Sequence, residues 1–303
     1  MEFDVIDFIK SQSQSSSQVD SSVILGIGDD AAVINLKANR QLVVSTDTLV
    51  GGVHFDNSAT PAQIGHKALA VSLSDLAAMG ATPKWCTLNL TLPKIDMQWL
   101  APFISGLLKL ATKYNVSLVG GDTTAGALSI TVTVFGEAIA GQYLTRSNAK
   151  RGDLIAVSGE IGSAAFALDN KKSNLAAALH VPEPQLKISQ QIKSFARACI
   201  DISDGLLADL GHICKQSNLG ATILLEQIPV NKQLKDSSPN WSNYVLAGGD
   251  DYQLCFTFSP DNLAKLPANC TIIGQMGCGT AVKVLSNNQE IQFKHTGFIH
   301  FNS

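Results

Sequence analysis

The sequence predicts a two-domain protein of mixed α and β structure, and three observations support this class. The chain has 303 residues, of which 45% are hydrophobic, enough to form the cores of one large or two ordinary domains. Strand-like runs such as "QLVVST" (41–46) alternate with helix-like segments along the chain. The charged, turn-rich segment "TRSNAKRGD" (145–153) is short of apolar residues and indicates a boundary. We therefore expect domains over 1–147 and 148–303.

The signals that delimit a helix are strong in the middle of the first domain. Thr60 is a good N-cap, Pro61 suits the first helical turn, and Gly80 suits a helix end. We therefore expect a helix between these positions. The polar run "SQSQSSSQ" (11–18) is instead predicted to be a mobile surface loop, because such compositions rarely supply a packed core.

The remaining elements follow from runs and alternations of apolar residues. Strands are expected at "AAVINL" and "QLVVST" between 23 and 46, at "KWCTLNLTLP", "VSLVGG" and "LSITVTVFGEA", and at 221–225, 253–258 and 271–274; helices are expected at 97–114, 161–169, 186–198 and 204–217, with loop or broken helix at 230–243.

Composition and charge exclude several classes of function. The net charge is −3 and the pI about 6.0, without a basic stripe, which argues against a nucleic-acid partner. No apolar run reaches the length of a membrane span, so no membrane association is expected. The six cysteines form no CxxC pair and mostly lie in apolar contexts. We expect them to be reduced core thiols in a cytoplasmic protein.

Acidic residues recur in one unusual context along the chain. Each adjoins glycine or hydroxyl residues at an expected strand end or helix terminus. One such carboxylate is usually a turn or capping residue, but the repetition needs another explanation. The residues are Asp29 and Asp30 in "GIGDD", Asp47 in "STDT", Asp75 in "LSDLAAMG", Asp122 in "VGGDTT", Asp201 and Asp204 in "DISDGL", and Asp250 and Asp251 in "GGDD".

Asp75 is the most informative of these carboxylates. It lies near the end of its predicted helix, where the helix dipole is negative and disfavours an anion. It also follows the apolar stretch "ALAVSL", and no lysine or arginine follows one turn later. A divalent cation would offset both costs. Carboxylate oxygens without a His or Cys cluster favour magnesium over zinc.

The segment "STDTLVGGVHF" (45–55) fits a metal–phosphate site. Asp47 would ligate magnesium, and the adjacent hydroxyls and main chain would complete or orient the ligand shell. Gly51 and Gly52 would leave room for a ligand and let main-chain N–H groups approach phosphates.

Three further residues have both a structural and a functional interpretation. Arg146 is a phosphate clamp or a solvated linker residue. His54 contacts a substrate phosphate or caps its own loop. Phe298 stacks on an aromatic ligand or belongs to a core. The P-loop motif and the protein-kinase motif set are both missing. The residues alone therefore indicate a magnesium-dependent, phosphate-handling enzyme and leave kinase, phosphatase and ligase open.

The chain also resembles the thiamine-monophosphate kinase family, which belongs to a superfamily that includes aminoimidazole ribonucleotide synthetase. The resemblance runs nearly end to end and is carried by motifs in family order: "GIGDDAAV", "STDTLVGGVHF", "KALAVSLSDLAAMGATP", "LVGGDTT", "LTRSNAKRGD", "DISDGLLADLGHI" and "GGDDY".

This resemblance implies a fold and a reaction. The fold would be synthetase-like, with an N-terminal mixed sheet that forms a dimeric β core and a C-terminal α/β domain. The reaction would be ATP-dependent phosphorylation of thiamine monophosphate to thiamine diphosphate by direct in-line transfer. Several Mg²⁺ ions, ATP as co-substrate and a homodimer are implied with it. The incoming nucleophile is already an anionic phosphate oxygen, so no general base is assigned.

The resemblance also implies a role for each matching position. Metal ligands would be Asp30, Ser45, Thr46, Asp47, Asp75, Asp122, Asp201 and Asp204; ATP contacts would be Gly121, Asp122, Arg146 and Ser203; and the thiamine-monophosphate side would hold His54, Asp250 and Phe298.

Three motifs depart from the family pattern. Asp250 stands where the family often has the longer glutamate, and Gln253 removes a neighbouring charge. Gln185 follows "PEP" where an arginine is frequent. Phe298 stands where the family often has Trp or Tyr, so ring stacking is retained and a polar contact from the ring is lost.

Other functions remain as alternatives. Selenophosphate synthesis would require a reactive cysteine near the N-terminus, hydrogenase maturation a cysteine tail, and purine-ring cyclisation a different form of the 45–55 segment. A regulator without catalysis would tolerate loss of the aspartates. A magnesium phosphatase would act without ATP.

Overall fold

The computed structural model describes residues 2–16, 21–25, 27, 31–171, 173–293 and 297. Over these residues the chain forms two compact units. The first contains 1–76 and 81–141, and the second contains 77–80 and 142–303. The sequence-based division of function at 147/148 stays a prediction.

The first unit is built on a mixed four-stranded sheet in the order β3-β6-β4-β5. β6 is antiparallel to both of its neighbours, while β4 and β5 are parallel. Strands β3 and β5 are therefore the two edges. The elements are α1 Glu2–Ser16, β1 Val23–Leu25, β2 Val33–Ile34, β3 Arg40–Val50, α2 Pro61–Ala78, β4 Thr82–Leu92, α3 Met97–Lys113, β5 Ser117–Ala125 and β6 Ser129–Ile139.

Helix α2 confirms the predicted helix signals. The Thr60 backbone N–H donates to Gln63 Oε1 at 2.8 Å, and the Gln63 N–H reaches back to Thr60 Oγ1 at 3.4 Å, which is a capping box. At the other end Gly80 has φ +71°, a conformation that favours glycine. Helix α3 also falls where it was expected.

The loop predicted over 11–18 is wrong for residues 11–16, which belong to α1. Val5, Ile9 and Ser13 recur at a spacing of four and are all buried. The helix packs against α3 and β5. Tertiary packing of this one face outweighs the poor helix propensity of the serine-rich sequence. Residues 17 and 18 lie outside the described residues.

The second unit is built on a seven-stranded mixed sheet in the order β13-β12-β9-β11-β7-β10-β8. Its elements are β7 Leu154–Ser158, α4 Ser163–Asp169, α5 Ala176–His180, α6 Leu186–Ile192, β8 Ala196–Asp201, α7 Leu206–Ser217, β9 Gly220–Leu224, α8 Lys232–Ser237, α9 Trp241–Ala247, β10 Leu254–Phe258, β11 Cys270–Gly277, β12 Val282–Ser286 and β13 Gln289–Ile291.

Several boundaries in the second unit differ from the sequence prediction. The helix expected over 186–198 ends at Ile192, and β8 begins at Ala196. "ARACID" pairs with β10 from Ala196 to Asp201, so strand pairing decides its conformation. Helix α5 and the strands β12 and β13 were not predicted. The broken helix expected at 230–243 is confirmed as α8 and α9.

The cysteines agree with the expectation of free core thiols. All six cysteines are free, and five are buried. Within the described ranges, no helix combines the length and apolar character needed to cross a membrane.

Candidate functional site

Asp47 lies inside β3 and not at its end, which corrects the sequence interpretation. β3 continues to Val50 because it pairs with β6 along its whole length, from Arg40 opposite Ile139 to Val50 opposite Ser129. Burial alternates along the strand. Ser45, Asp47 and Leu49 are the more buried set, and Thr46 and Thr48 are exposed on the other face.

Helix α2 brings a second carboxylate to Asp47. Ser45 Oγ donates a short hydrogen bond to Asp75 Oδ2, and Asp75 is three residues from the C-terminal end of α2. Burial, and then the nearby Asp75 carboxylate, raise the pKa of Asp47 to about 6. A hydrogen bond from the Ser72 hydroxyl opposes this shift. Two half-buried carboxylates are therefore held side by side.

This pair fits a magnesium ion. Asp47 Oδ2 is buried and has no hydrogen-bond partner among the described residues, so one oxygen is left for a ligand. The donors are hard carboxylate and hydroxyl oxygens, which suit Mg²⁺. Over the described part of the chain, no group of three or more His, Cys, Asp or Glu residues is close enough to form a complete metal site. Ligands from water, phosphate or other residues would have to complete the shell.

Thr46 takes a different position from the one expected for a hydroxyl ligand. Its Oγ1 lies 3.0 Å from the Thr133 hydroxyl, on the face opposite Asp47. Thr48 makes the same kind of bond with Thr131 at 2.8 Å. The predicted metal role of Thr46 stays a prediction.

The loop after β3 is closed by the side chain of His54. The Val50 N–H donates to His54 Nδ1 at 3.0 Å, and the His54 N–H donates back to the Val50 carbonyl at 3.0 Å. The capping interpretation of His54 is therefore observed. Lys67 of α2 is 3% exposed, and its ammonium donates to the His54 carbonyl at 3.2 Å. A buried cation thus ties this loop to the helix that carries Asp75.

Gly121 and Asp122 lie on β5, at the opposite edge of the sheet from Asp47. The register aligns Asp47 with Val132, Leu88 and Gly121 across the four strands. Three strand spacings separate the two edges by roughly 14 Å along the sheet. A side chain at position 121 would approach the Leu88 carbonyl to 1.9 Å, and φ there is +148°, so this edge needs glycine.

A cavity of about 690 Å³ borders this glycine edge. Its size is typical of a small-molecule site. It is lined by Gly120, Gly121 and Asp122 of β5, by Asp7 and Lys10 of α1, and by Ile27, Ala31 and Ala32 before β2, among others. The predicted ATP contacts at Gly121 and Asp122 are thus open to a ligand.

In the second unit, two acidic loops are joined through their backbones. The Asp250 N–H donates to the Ser203 carbonyl at 2.9 Å, and the Tyr252 N–H donates to the Ile202 carbonyl at 2.8 Å. Asp250 and Tyr252 both have positive φ, and the Tyr252 hydroxyl donates to Asp250 Oδ1 at 2.8 Å. The shorter side chain of Asp250 is thereby fixed in direction. Asp201 is buried at the end of β8, directly before the first loop.

Two buried carboxylates anchor these loops. Asp209 Oδ2 accepts hydrogen bonds from the N–H groups of 203–205, at 3.0, 3.1 and 3.0 Å. Asp251 accepts from the Gly162 N–H at 2.6 Å and the Ala164 N–H at 3.4 Å, at the start of α4. Burial raises the pKa of each to about 7, against the opposing effect of these backbone donors.

The structure brings the predicted site residues together in two groups. Ser45, Asp47 and Asp75 form one, and the loops with Ser203, Asp204 and Asp250 form the other. Arg146 is exposed in the segment after the first unit. The predicted convergence of the two groups stays a prediction. Asp29, Asp30 and Phe298 lie outside the described residues.

Sequence reasoning missed Lys10, Lys67 and Asp209. Lys67 and Asp209 are charged residues in otherwise apolar helical contexts, "GHKALA" and "LLADLG". A charge at a core-facing helical position signals a specific partner. Lys10 could have been found from the spacing of Val5 and Ile9, which predicts an amphipathic helix.

Comparisons with known proteins bear on the fold and the family of this chain. Residues 28–138 match the family described as AIR synthase related protein, N-terminal domain. Among solved structures, a hydrogenase maturation protein HypE in complex with ATP has a TM-score of 0.76 and covers 93% of this chain and 91% of its own, at 19% identity. That likeness confirms the mixed α/β two-sheet fold and no more.

Closer relatives share most of the sequence length. Thiamine-monophosphate kinase from Stenotrophomonas maltophilia has a TM-score of 0.84 and is 40% identical over 92% of this chain and 94% of its own. AaThiL complexed with AMPPCP and TMP has a TM-score of 0.78 and is 31% identical, over 99% of this chain and 97% of its own. Thiamine-monophosphate kinase of Escherichia coli K12 is 41% identical over 94% of both chains, and that of Buchnera aphidicola from Schizaphis graminum is 41% identical over 99% of this chain and all of its own. This chain therefore belongs to the thiamine-monophosphate kinase family.

Proposed function

We propose that the protein transfers the γ-phosphoryl group of ATP to thiamine monophosphate, giving thiamine diphosphate and ADP. The observation that carries this proposal is the near-complete match to AaThiL complexed with AMPPCP and TMP. The paired carboxylates of Asp47 and Asp75 support it, because a transfer between two phosphates needs cations at the reacting centre.

Bound magnesium ions would neutralise the phosphates that otherwise repel one another. Asp47 and Asp75 would hold such an ion on β3 and α2, with Ser45 orienting Asp75. Asp30, Asp122, Asp201 and Asp204 are the further ligands that the family resemblance proposes, with the Thr46 main chain. The glycine edge at Gly121 would let the backbone approach the nucleotide.

On the acceptor side, we assign His54, Asp250 and Phe298 to thiamine monophosphate. The hydrogen bond from Tyr252 directs the Asp250 carboxylate and offsets the loss of one methylene relative to glutamate. Gln253 and Gln185 receive no role in the transfer.

Product identification tests the proposed reaction. Incubation with MgATP and thiamine monophosphate is expected to yield thiamine diphosphate and ADP in equal amounts, resolved by chromatography and mass spectrometry. Without ATP no thiamine product is expected. Release of inorganic phosphate from thiamine phosphates in that sample would instead identify a phosphatase, and no product in either sample would contradict the proposal.

Substitution of Lys67 tests the assignment of the 50–55 loop to thiamine monophosphate. Lys67→Met keeps the length of the side chain but loses the bond to the His54 carbonyl, so the 50–55 loop is expected to loosen. Loss of a hydrogen bond from a charged donor corresponds to a weakening of binding by roughly tenfold or more. We expect the KM for thiamine monophosphate to rise about that much while the KM for ATP stays unchanged. Lys109→Met, on the exposed side of α3, is the control. An equal rise in both KM values would contradict a role confined to the acceptor.

We further propose that the protein is a homodimer whose first units share a β core. The sheet face opposite Asp47 carries exposed apolar side chains on β3, including Leu42 (45% exposed) and Val44 (51% exposed). β3 and β5 are long edge strands, and such edges are normally covered or paired. A second copy packed on this face would cover the apolar side chains of β3 and would bring its own strand edges beside β3 and β5.

The dimer would also complete the metal site. One ion binds its oxygens at about 2.0–2.1 Å, so Asp47 and Asp122 of one chain, at opposite edges, cannot share it. In a dimer with its two-fold axis along the strands, the β5 edge of each copy lies beside the β3 edge of the other. Asp122 of the partner subunit would then lie beside the β3 edge that carries Asp47, and we propose that it serves the same nucleotide–metal site as Asp47 and Asp75. The free thiols support the proposal that this dimer works in the reducing cytoplasm.

A further inference from the structure

We infer that Asp209 is a positioning residue for the nucleotide–metal side of the reaction. It holds the backbone of Ser203, Asp204 and Gly205 in the conformation that presents Ser203 and Asp204 to their ligands. This inference rests on the proposed function, which assigns ATP and a metal to these two residues.

Three backbone N–H groups converge on the Asp209 carboxylate. A single oxygen, Asp209 Oδ2, accepts the N–H groups of 203, 204 and 205 at 3.0, 3.1 and 3.0 Å. Asp209 is 2% exposed, so water does not compete for these donors. Successive N–H groups that converge on one anion form a nest, which is an anion-binding concavity of the backbone. The shape of this loop is therefore set by Asp209.

The glycine in the loop restricts it further. Gly205 has φ +128°, and a side chain there would approach the Ala247 backbone to 2.9 Å. The loop is thus held between α9 and the first turn of α7. Asp209 lies four residues after Gly205 on α7 and donates its own N–H to the Gly205 carbonyl at 3.0 Å. Helix and loop are fixed to each other at both ends of this turn.

The same loop positions the acidic loop before β10. The Ser203 carbonyl accepts the Asp250 N–H at 2.9 Å, and Gly249 lies so close that a side chain there would meet this carbonyl at 2.2 Å. A shift of the Ser203–Gly205 backbone would therefore move Asp250 as well. One buried carboxylate thus controls the geometry of two loops to which the resemblance assigns ligands.

A purely structural interpretation makes a different prediction. Burying a carboxylate is costly. Capping the N-terminus of α7 alone would need only one side-chain oxygen, at the N-cap residue 205. If Asp209 served folding alone, its loss would lower the fraction of folded protein but leave the ligand constants of the folded molecules unchanged. A positioning role changes those constants.

The test compares Asp209→Leu, Asp209→Asn and the control Thr257→Val. Leucine removes every acceptor. Asparagine keeps one carbonyl oxygen that can accept the same three N–H groups. Thr257 is a buried residue in β10 whose hydroxyl accepts the Ala198 N–H at 3.2 Å, in the part of the strand away from both loops. Its substitution controls for loss of a buried acceptor elsewhere in the second unit.

Two readouts separate positioning from folding. For Asp209→Leu we expect the Mg²⁺ concentration at half-maximal rate and the KM for ATP to rise about 10–100-fold, as for other residues that orient metal ligands. In the metal-free protein, hydrogen exchange at the amides of 203–205 should accelerate in the same variant. Asp209→Asn should restore most of the wild-type ligand constants and most of the wild-type protection from exchange. Thr257→Val should lower the Tm without changing the ligand constants or the exchange at 203–205.

Each other outcome overturns the inference. Unchanged Mg²⁺ and ATP constants in folded Asp209→Leu would assign Asp209 to folding, as would equal changes in Thr257→Val. If the leucine variant does not fold, Asp209→Ser replaces it, because serine is too short to reach the three donors and leaves room for water. Calorimetric titration with MgAMPPCP measures the same constants without turnover. A failure of the proposed reaction would therefore appear in the wild type, separately from any effect of Asp209.

Discussion

Replacing Asp47 with asparagine is expected to remove most turnover and at the same time to stabilise the metal-free protein. Asp47 has one buried oxygen without a partner among the described residues and a second carboxylate beside it. Both features favour a bound cation and disfavour the empty fold. Loss of one electrostatic contact to a reacting phosphate costs about 10²–10³ in rate, and we expect a fall of kcat in that range.

The pH dependence of stability gives the sign of the second effect. Burial, and then the Asp75 carboxylate, raise the pKa of Asp47 from 3.8 to about 6 in the folded protein. Below pH 3.8 the group is protonated in both states and contributes nothing. Above about pH 6 it is ionised in both, and the fold is then destabilised by on the order of 2–3 kcal/mol. Metal-free wild type should therefore lose stability as the pH rises between these values.

Denaturant unfolding in EDTA across this pH range checks the prediction. Asp47→Asn should flatten the pH dependence and raise the free energy of unfolding at pH 7, whereas Mg²⁺ should stabilise the wild type more than the variant. Asp236→Asn, the same chemical change at an exposed position, should alter neither. Lower stability of Asp47→Asn in EDTA, or an unchanged kcat at saturating Mg²⁺, would contradict the assignment.

The parts of this fold that could be predicted from sequence are those specified by local chemistry. Helix α2 follows from Thr60, Pro61 and Gly80, and Asp75 was correctly placed near its end. Strand β3 was predicted to stop near Asp47 because the polar residues there suggest a turn. It continues because β6, about eighty residues later in the chain, pairs with it to Val50. Pairing at that distance leaves no signal in the strand itself.

The same distinction holds for the candidate site. The Asp47–Asp75 pair could be inferred because each residue is unusual in its own context. The relation of Asp122 to this pair could not, since it depends on the strand order β3-β6-β4-β5. Asp209 was missed for a similar reason: its role depends on a nest that forms only when the loop folds back over the helix.

The strand order leads to the second large effect, restoration of activity in a mixed dimer. In the proposed dimer, Asp47→Asn and Asp122→Asn homodimers should each fall about 10²–10³-fold in kcat, since every site loses one ligand. Chains with different tags can be co-expressed and the heterodimer isolated by sequential affinity steps. If Asp122 acts on the partner's site, one site of this heterodimer carries both substitutions and the other carries neither. About half of the wild-type turnover per dimer is then expected.

The control for this experiment is the Asp47→Asn and Asp75→Asn heterodimer. Asp47 and Asp75 belong to one cluster within a single chain, so each site of that heterodimer keeps one damaged cluster and should stay inactive. If Asp47 and Asp122 instead served the same site from the same chain, the first heterodimer would also keep one defect in every site. Its turnover would then remain at the level of its parents, and sharing of the site between two copies would be excluded. A difference of about a hundredfold separates the two outcomes, so modest contamination by homodimers cannot reverse the result.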